Sequence, residues 1–310
     1  IMENKERYNH LNEYYKNKFG ERTLKICIDA GFTCPNRDGT LSSSGCIFCS
    51  EKGAGELIKF SKLHISEQVN NFLNSYRGMR ANKFIVYFQN FTNTYDSLEN
   101  LKEKYDAALV SDKIVGISIA TRPDCITEDI AKLIASYADK YDVSVELGLQ
   151  TSNDNIGRII NRYYTTTQFT TAVNILRKYN IEIITHMMIG LPKESFVDIK
   201  DTVKFINNHD IQGLKIHSTY IVKNTVLASM YYNKEYEPIT LDYYLDALTY
   251  VITHVRPDLI IHRISGDAPK DLLVAPKWNL HKKWILNGFA KRLKDENLWQ
   301  GKFYDCNINL

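Results

Sequence analysis

The chain has 310 residues, 44% of them hydrophobic and 24% charged, which suffices for one large domain with a full core or for a barrel with an appendage. A formal net charge of +3, from 39 Lys and Arg against 36 Asp and Glu, is too small to announce a nucleic-acid binder. No apolar run reaches the roughly 20 residues of a membrane span and no signal-peptide core is visible, so the expectation is a cytoplasmic protein with no membrane partner, Ile1 being a cloning or processing remnant ahead of Met2.

Tyr and Leu residues at helical spacing predict a first helix over Tyr8–Lys18, ending at Gly20. A strand follows over Leu24–Ala30, then a loop carrying Cys34, Cys46 and Cys49. Ile65, Val69, Phe72, Leu73 and Tyr76 mark an amphipathic helix over His64–Tyr76, and Phe84–Gln89 reads as a buried strand. Helices over Leu98–Leu109, Thr127–Tyr137, Thr166–Tyr179 and Ser195–Asn208 then alternate with strands over Ile114–Thr121, Val143–Gln150, Ile181–Gly190 and Leu214–Ile221. Six strands alternating with helices predict an α/β fold whose parallel sheet is covered on both faces, and right-handed crossovers would curl it into a partial (β/α)6 barrel. A helix over Leu241–Val255, a seventh candidate strand over Leu259–Ile264 and a last helix over Leu280–Lys294 read as a C-terminal α/β cap. The expected division is a helical extension over residues 1–22, the partial barrel over 23–235 and the cap region over 236–310.

The stretch from Cys34 to Cys49 is chemically the most informative. A structural zinc site or an ordinary ferredoxin cluster takes four protein ligands, whereas three thiolates leave a metal position open for a substrate or cofactor. Cys46-Ile-Phe-Cys49 is a tight two-thiolate chelate, and Gly39 and Gly45 let the backbone curl around a cluster. Soft thiolates select iron-sulfur, zinc or Cu(I). A zinc-stabilised binding module with Cys27 as fourth ligand is the alternative, although Leu24-Lys-Ile-Cys-Ile-Asp29 has the pattern of a buried strand in which a small apolar side chain suffices. Cys125 and Cys306 have no partner spacing and read as ordinary thiols; disulfides are not expected in a reducing compartment, nor is an auxiliary cluster without a second C-x-x-C.

In barrels of this type functional residues gather where strands end, because the loops there share one mouth. The distinctive strand ends are Gln89-Asn-Phe-Thr-Asn-Thr-Tyr95, Thr121-Arg-Pro-Asp-Cys125, Glu146-Leu-Gly-Leu-Gln-Thr-Ser152, His186-Met-Met-Ile-Gly-Leu-Pro192 and the run from His217 to Thr225.

A three-cysteine loop ending in C-x-aromatic-C resembles the cluster loop of the radical S-adenosylmethionine (SAM) superfamily. Eleven residues between Cys34 and Cys46, within Asp29-Ala-Gly-Phe-Thr-Cys-Pro-Asn-Arg-Asp-Gly-Thr40, resemble the YhcC/YtqA-type members, relatives of the radical SAM half of the Elongator catalytic subunit. The resemblance implies a 4Fe-4S cluster on Cys34, Cys46 and Cys49, SAM as cosubstrate, and reductive cleavage to a 5′-deoxyadenosyl radical, with reduced flavodoxin or ferredoxin as electron donor. It places Thr92, Asn93 and Thr94 at the methionyl amine. Gly148-Leu-Gln150 and Asn161-Arg162 resemble words of the oxygen-independent coproporphyrinogen oxidases, which implies Gln150 at the ribose and Arg162 at the methionyl carboxylate. His186 stands where those families carry an acid at the ribose, and as a SAM-binding candidate it could donate to a ribose hydroxyl instead; Tyr163-Tyr164 stands where close relatives carry Gly-His. Arg122 is expected either in the mouth or paired with Asp124; Lys223, His262, Arg263 and Asp267 are the charged candidates for the substrate side.

Relatives of this type are linked to maturation of a tRNA wobble-uridine side chain, so tRNA is the implied partner. The chain is too short for an acetyltransferase domain after the barrel, which implies processing of an existing side chain. The residues from Pro257 onward hold nine Lys or Arg against six Asp or Glu, with Lys282, Lys283, Lys291, Arg292 and Lys294 clustered, and would face phosphates or form a solvated helix face. A small metabolite or peptide is the alternative substrate.

Overall fold

The computed structural model describes residues 7–51, 58 and 62–304. Nine strands are present among them: β1 (Thr23–Ile28), β2 (Lys83–Phe88), β3 (Ile114–Thr121), β4 (Asp142–Gln150), β5 (Glu182–Ile189), β6 (Gly213–Ser218), β7 (Ile221–Val222), β8 (Ile260–Arg263) and β9 (Leu273–Ala275). Seven form one sheet in the order β1-β2-β3-β4-β5-β6-β8, each neighbouring pair parallel. The helices are α1 (Leu11–Phe19), α2 (Ile65–Leu73), α3 (Leu98–Ala108), α4 (Glu128–Ala135), α5 (Asp154–Ile159), α6 (Thr166–Lys178), α7 (Phe196–Asn207), α8 (Val226–Tyr232), α9 (Leu241–His254) and α10 (Lys282–Asp295).

The crossover helices begin where the sequence supplies a cap. Ser97, Thr127, Thr165, Ser195 and Thr240 each accept a first-turn N–H, a contribution of about 1 kcal/mol apiece. Strand alternation then divides the residues between two environments. On β1, Ile26 and Ile28 are fully buried in the core beneath the helices, whereas Lys25 and Cys27 point to the concave side. The curl of the sheet is visible in one contact: Lys25 Nζ on β1 lies 3.1 Å from Glu146 Oε1 on β4, strands that would stand roughly 14 Å apart in a flat sheet. The sheet is therefore a curled half-barrel with an interior, here called the lumen.

α1 closes the lower end. Lys18 Nζ contacts Asp142 Oδ1 at 2.5 Å and Glu182 Oε1 at 3.3 Å, and Lys83 Nζ donates to the carbonyl of Phe19, so the helix lies across the N-terminal ends of β2, β4 and β5. The segment before it is stitched to β8, Ile261 N–H donating to Asn9 O at 2.8 Å.

Three features differ from the sequence expectation. The strand expected over Leu214–Ile221 stops at Ser218: Thr219 N–H donates to Ile189 O, the chain turns, and β7 pairs antiparallel with β9 in a separate ribbon. The seventh candidate strand, expected within the cap, joins the main sheet as β8 beside β6. α5 and α8, of six and seven residues, are too short to show a helical period, although Asn153 and Thr225 cap them. Cys306 lies outside the described residues.

Candidate active site

The cysteine loop leaves β1 and folds on itself before reaching any other element. Cys34 O accepts the N–H groups of Arg37 and Asp38, Asn36 O accepts that of Gly45, and Cys49 N–H donates to Cys46 O at 3.0 Å. Gly45 has φ +74°, and a Cβ there would stand 2.8 Å from Arg37 Nε, so side chain and loop fit only because the position is glycine. Arg37 fastens the loop from below by donating to the carbonyls of Cys49, Ser50 and Glu51. Ile47 N–H bonds Ile160 O and Leu227 N–H bonds Ile47 O, which ties the loop to the ends of α5 and α8.

The three thiols are partly buried and unbridged. A hydrogen bond between Cys46 and Cys49 pushes the Cys46 thiol up, with burial in the same direction, and draws Cys49 down against burial; the guanidiniums of Arg37 and Arg122 also favour the Cys49 thiolate. Among the described residues no three His, Cys, Asp or Glu side chains converge as they would on a single ion. Thiols that each take a different iron of a cluster need not converge. Cys27 has Lys215, Lys25, Glu146 and Arg263 as its charged neighbours, which sets it in the lumen. Cys125 stands near Arg122 and Asp124, its thiol pushed up to about 12 by burial and by Asp124.

Above the loop, the end of β2 is shaped by two consecutive left-handed residues, Asn90 (φ +72°) and Phe91 (φ +56°). They deliver Thr92, Asn93 and Thr94 into near-complete burial. Thr94 Oγ1 is engaged by Thr121 Oγ1 and Cys125 O, each at 2.6 Å, and so braces β3. Thr92 Oγ1, Asn93 Oδ1, Asn90 Oδ1 and Asn36 Oδ1 are buried oxygens without a hydrogen-bond partner. Leaving such acceptors unpaired is costly, and an ammonium is the kind of donor they suit. The donor set of three thiols beside these acceptors fits a cluster with an amino-acid ligand at its open iron.

At the end of β4, Gln150 is held at φ +61° next to a register shift, with Oε1 2.7 Å from Tyr164 Oη. Arg162 is fully enclosed. It donates to the carbonyls of Tyr164, Leu149 and Thr151 and to Asp154 Oδ1, so its guanidinium fixes the turn between β4 and α6. Arg122 pairs with Asp124 through two 2.9 Å bonds and stacks over Tyr164 at 5.0 Å, while its charge reaches the thiols. Of the two alternatives expected for Arg122, the structure shows the ion pair with Asp124.

His186 faces the lumen, with Nε2 2.9 Å from Glu146 Oε2, and burial lowers its pKa. Glu146 also receives Lys25, Lys215 Nζ at 2.7 Å and Tyr87 Oη at 2.6 Å. Burial opposes its charge, yet Lys215 and Lys25 hold it well below the usual carboxylate range. His262 and His217 line the same interior, kept neutral by burial. Arg263 pairs with Asp267 at 2.8 Å, and Lys282 reaches Asp267 at 3.1 Å. Lys223 is exposed on the β7–β9 ribbon and donates to Asp271 O, away from this cluster. Sequence reading passed over Lys25, Tyr87, Glu146 and Lys215 as site residues. Their signal was a polar residue at every second position of apolar strands, as in Leu24-Lys-Ile-Cys and Leu214-Lys-Ile-His.

A parallel half-barrel with three thiols on the loop after β1 and unpaired acceptors at the neighbouring strand end defines an α/β enzyme with its cofactors at the mouth. The radical SAM superfamily model matches residues 33–206 and the radical SAM C-terminal domain model residues 211–295, and the chain belongs to that superfamily. YtqA of Bacillus subtilis is 36% identical over 299 residues, 96% of this chain and 93% of its own. A protein described as tRNA uridine(34) acetyltransferase from Dehalococcoides mccartyi is 28% identical over 177 residues, 56% of this chain but 37% of its own. The structure of Elp3 from Methanocaldococcus infernus superposes with TM-score 0.68 and 17% identity, over 90% of this chain and 64% of that one, a likeness of fold. Family membership implies a 4Fe-4S cluster, SAM and a reductant. No helix among the described residues is long and apolar enough to cross a membrane.

Proposed function

We propose that this radical SAM enzyme acts on the side chain of a tRNA wobble uridine. The observation that carries the reading is the similarity, over 177 residues, to a protein described as tRNA uridine(34) acetyltransferase. The surface beside the mouth supports it. α10 begins with His281 and Trp284 stacked at 4.0 Å, Trp284 half exposed, next to Lys282 and Lys283, and Lys282 reaches the loop after β8 through Asp267. Aromatic faces beside ammonium groups suit bases and phosphates.

When bound, a cluster with SAM at its open iron would supply the one-electron reductive chemistry by which a hydrogen atom is removed from substrate. The protein supplies the rest. Cys34, Cys46 and Cys49 would hold the cluster; Thr92 and Asn93 would accept from the methionyl amine; Gln150, held by Tyr164, would stand at the ribose side. Arg162 keeps the β4 turn in place for them. Reduced flavodoxin or ferredoxin donates the electron.

The test has two readings. Protein reconstituted anaerobically with iron and sulfide, then given dithionite and SAM, forms 5′-deoxyadenosine in wild type and none in Cys46→Ala. Total tRNA binds more tightly than heparin, and the double change Lys282→Glu, Lys283→Glu reduces the slope of log affinity against log salt by about two. Deoxyadenosine formation without preference for tRNA, and with binding unchanged in the double variant, would leave the radical chemistry and remove the tRNA substrate.

A further inference from the structure

The lumen behind the mouth carries an imbalance of charge that the cofactors do not use. Lys25 on β1 and Lys215 on β6 both point inward and share one carboxylate, Glu146, at 3.1 and 2.7 Å. No second acid among the described residues bonds either ammonium. Asp267, on the loop after β8, is held by Arg263 and Lys282. His186 is bonded to the same Glu146, and burial keeps it neutral. With both groups protonated, two ammoniums against one carboxylate leave one net positive charge inside a barrel, where an uncompensated charge is expensive.

Both ammoniums have N–H groups to give. Lys25 donates to Glu146 alone and stands over the Tyr87 ring at 4.8 Å; Lys215 donates to Glu146 and, at 3.4 Å, to Tyr87 Oη, which leaves it one N–H. The lumen is open to solvent at Cys27. Cys27 is exposed although Ile26 and Ile28 on either side are fully buried, so its exposure is to the lumen. Nδ1 of His262, on β8, is buried there without a partner. Burial draws Lys215 down to about 7, with the charge of Lys25 in the same direction, so an added anion would favour its protonated form.

We infer that the lumen is a binding site for a carboxylate of the substrate, held between Lys25 and Lys215 on the platform of Glu146 and Tyr87. The charge count selects a monoanion: one carboxylate brings the pair to neutrality, whereas a phosphate dianion overshoots it. The inference deepens the proposed function, resting on it for the consequence that the modified group is acidic, while the binding itself stands on the lumen alone.

Cys27 is a built-in reporter. The reconstituted holoprotein is treated anaerobically with iodoacetate or iodoacetamide, and labelling of Cys27 is followed by peptide mass spectrometry. Iodoacetamide is the neutral isostere, so only a carboxylate site makes iodoacetate the faster reagent. The expected result is saturable labelling, about tenfold faster with iodoacetate, the equivalent of one charge-assisted contact. Acetate protects Cys27 and phosphate at equal ionic strength does not. Lys215→Gln and, independently, Lys25→Gln abolish the preference, and Lys215→Arg retains it. Saturating SAM leaves it intact, which separates a substrate carboxylate from the methionyl one. Faster labelling by iodoacetamide, a preference unmoved in both Gln variants, or its loss with SAM would overturn the inference. Deoxyadenosine formation and tRNA binding are read in other assays, so failure of either leaves the labelling result unaffected.

Discussion

The side-chain amide of Asn36 donates to the carbonyl of Asn161 at 2.6 Å, joining residues 125 positions apart, and the same nitrogen lies 3.5 Å from Cys46 Sγ. One buried side chain thus fixes the cluster loop against the turn that carries Arg162. Asn36→Ala leaves Asn161 O without its donor and costs about 1–3 kcal/mol. The expected outcome is a lower unfolding midpoint and faster release of iron to a chelator from the reconstituted protein. Unchanged iron release would show that the loop is held without this contact.

The thiols are separable by substitution. Cys46→Ala abolishes iron-sulfur reconstitution, while Cys27→Ser and Cys125→Ser retain wild-type iron content, because one faces the lumen and the other stays protonated under burial. Iron and sulfide analysis of the three variants decides this, and loss of iron in Cys27→Ser would revive a four-thiol site.

Gly157→Ala tests the seat of Arg162. A Cβ at Gly157 would stand 2.6 Å from Arg162 Nε and 2.8 Å from its Cζ, and the guanidinium has four partners that prevent retreat. The expected cost is about 1–3 kcal/mol, read by thermal unfolding, with SAM cleavage reduced as the Gln150 turn shifts. A wild-type melting curve would contradict the packing.

Lys215 makes stability depend on pH in a defined direction. Its folded pKa is about 7, against about 10.4 in an unfolded chain. Between these values the unfolded state holds a proton that the folded state has released, so this group adds stability as pH rises through the window. Wild type measured against Lys215→Met therefore gains relative stability from pH 7 to 9, other titrations cancelling in the difference. Parallel curves would show that Lys215 keeps its ordinary pKa.

The barrel was legible because its strands are short apolar runs between capped helices, and Thr165, Ser195 and their neighbours mark the helix starts. The cysteine loop was legible because its ligands are close in sequence. Long-range pairing was not. Nothing near Arg162 in the chain announces that four partners would enclose it, and nothing near Lys215 announces that Lys25, 190 residues earlier by number, would share its carboxylate. Alternation gives a residue's side of the strand; only the curl of the sheet says which side chains meet across the lumen.

The fastening of the N-terminal segment has a consequence for biosynthesis. Asn9 N–H donates to Gln300 Oε1, across 291 residues, and Asn9 O receives Ile261 N–H from β8. The segment around Asn9 is made long before β8 and Gln300, so this pair of hydrogen bonds is complete only once residue 300 has been synthesised. Lys18 can meet Asp142 and Glu182 much earlier, so α1 is fastened in two stages, first to β4 and β5 and only later, through Asn9, to β8 and Gln300.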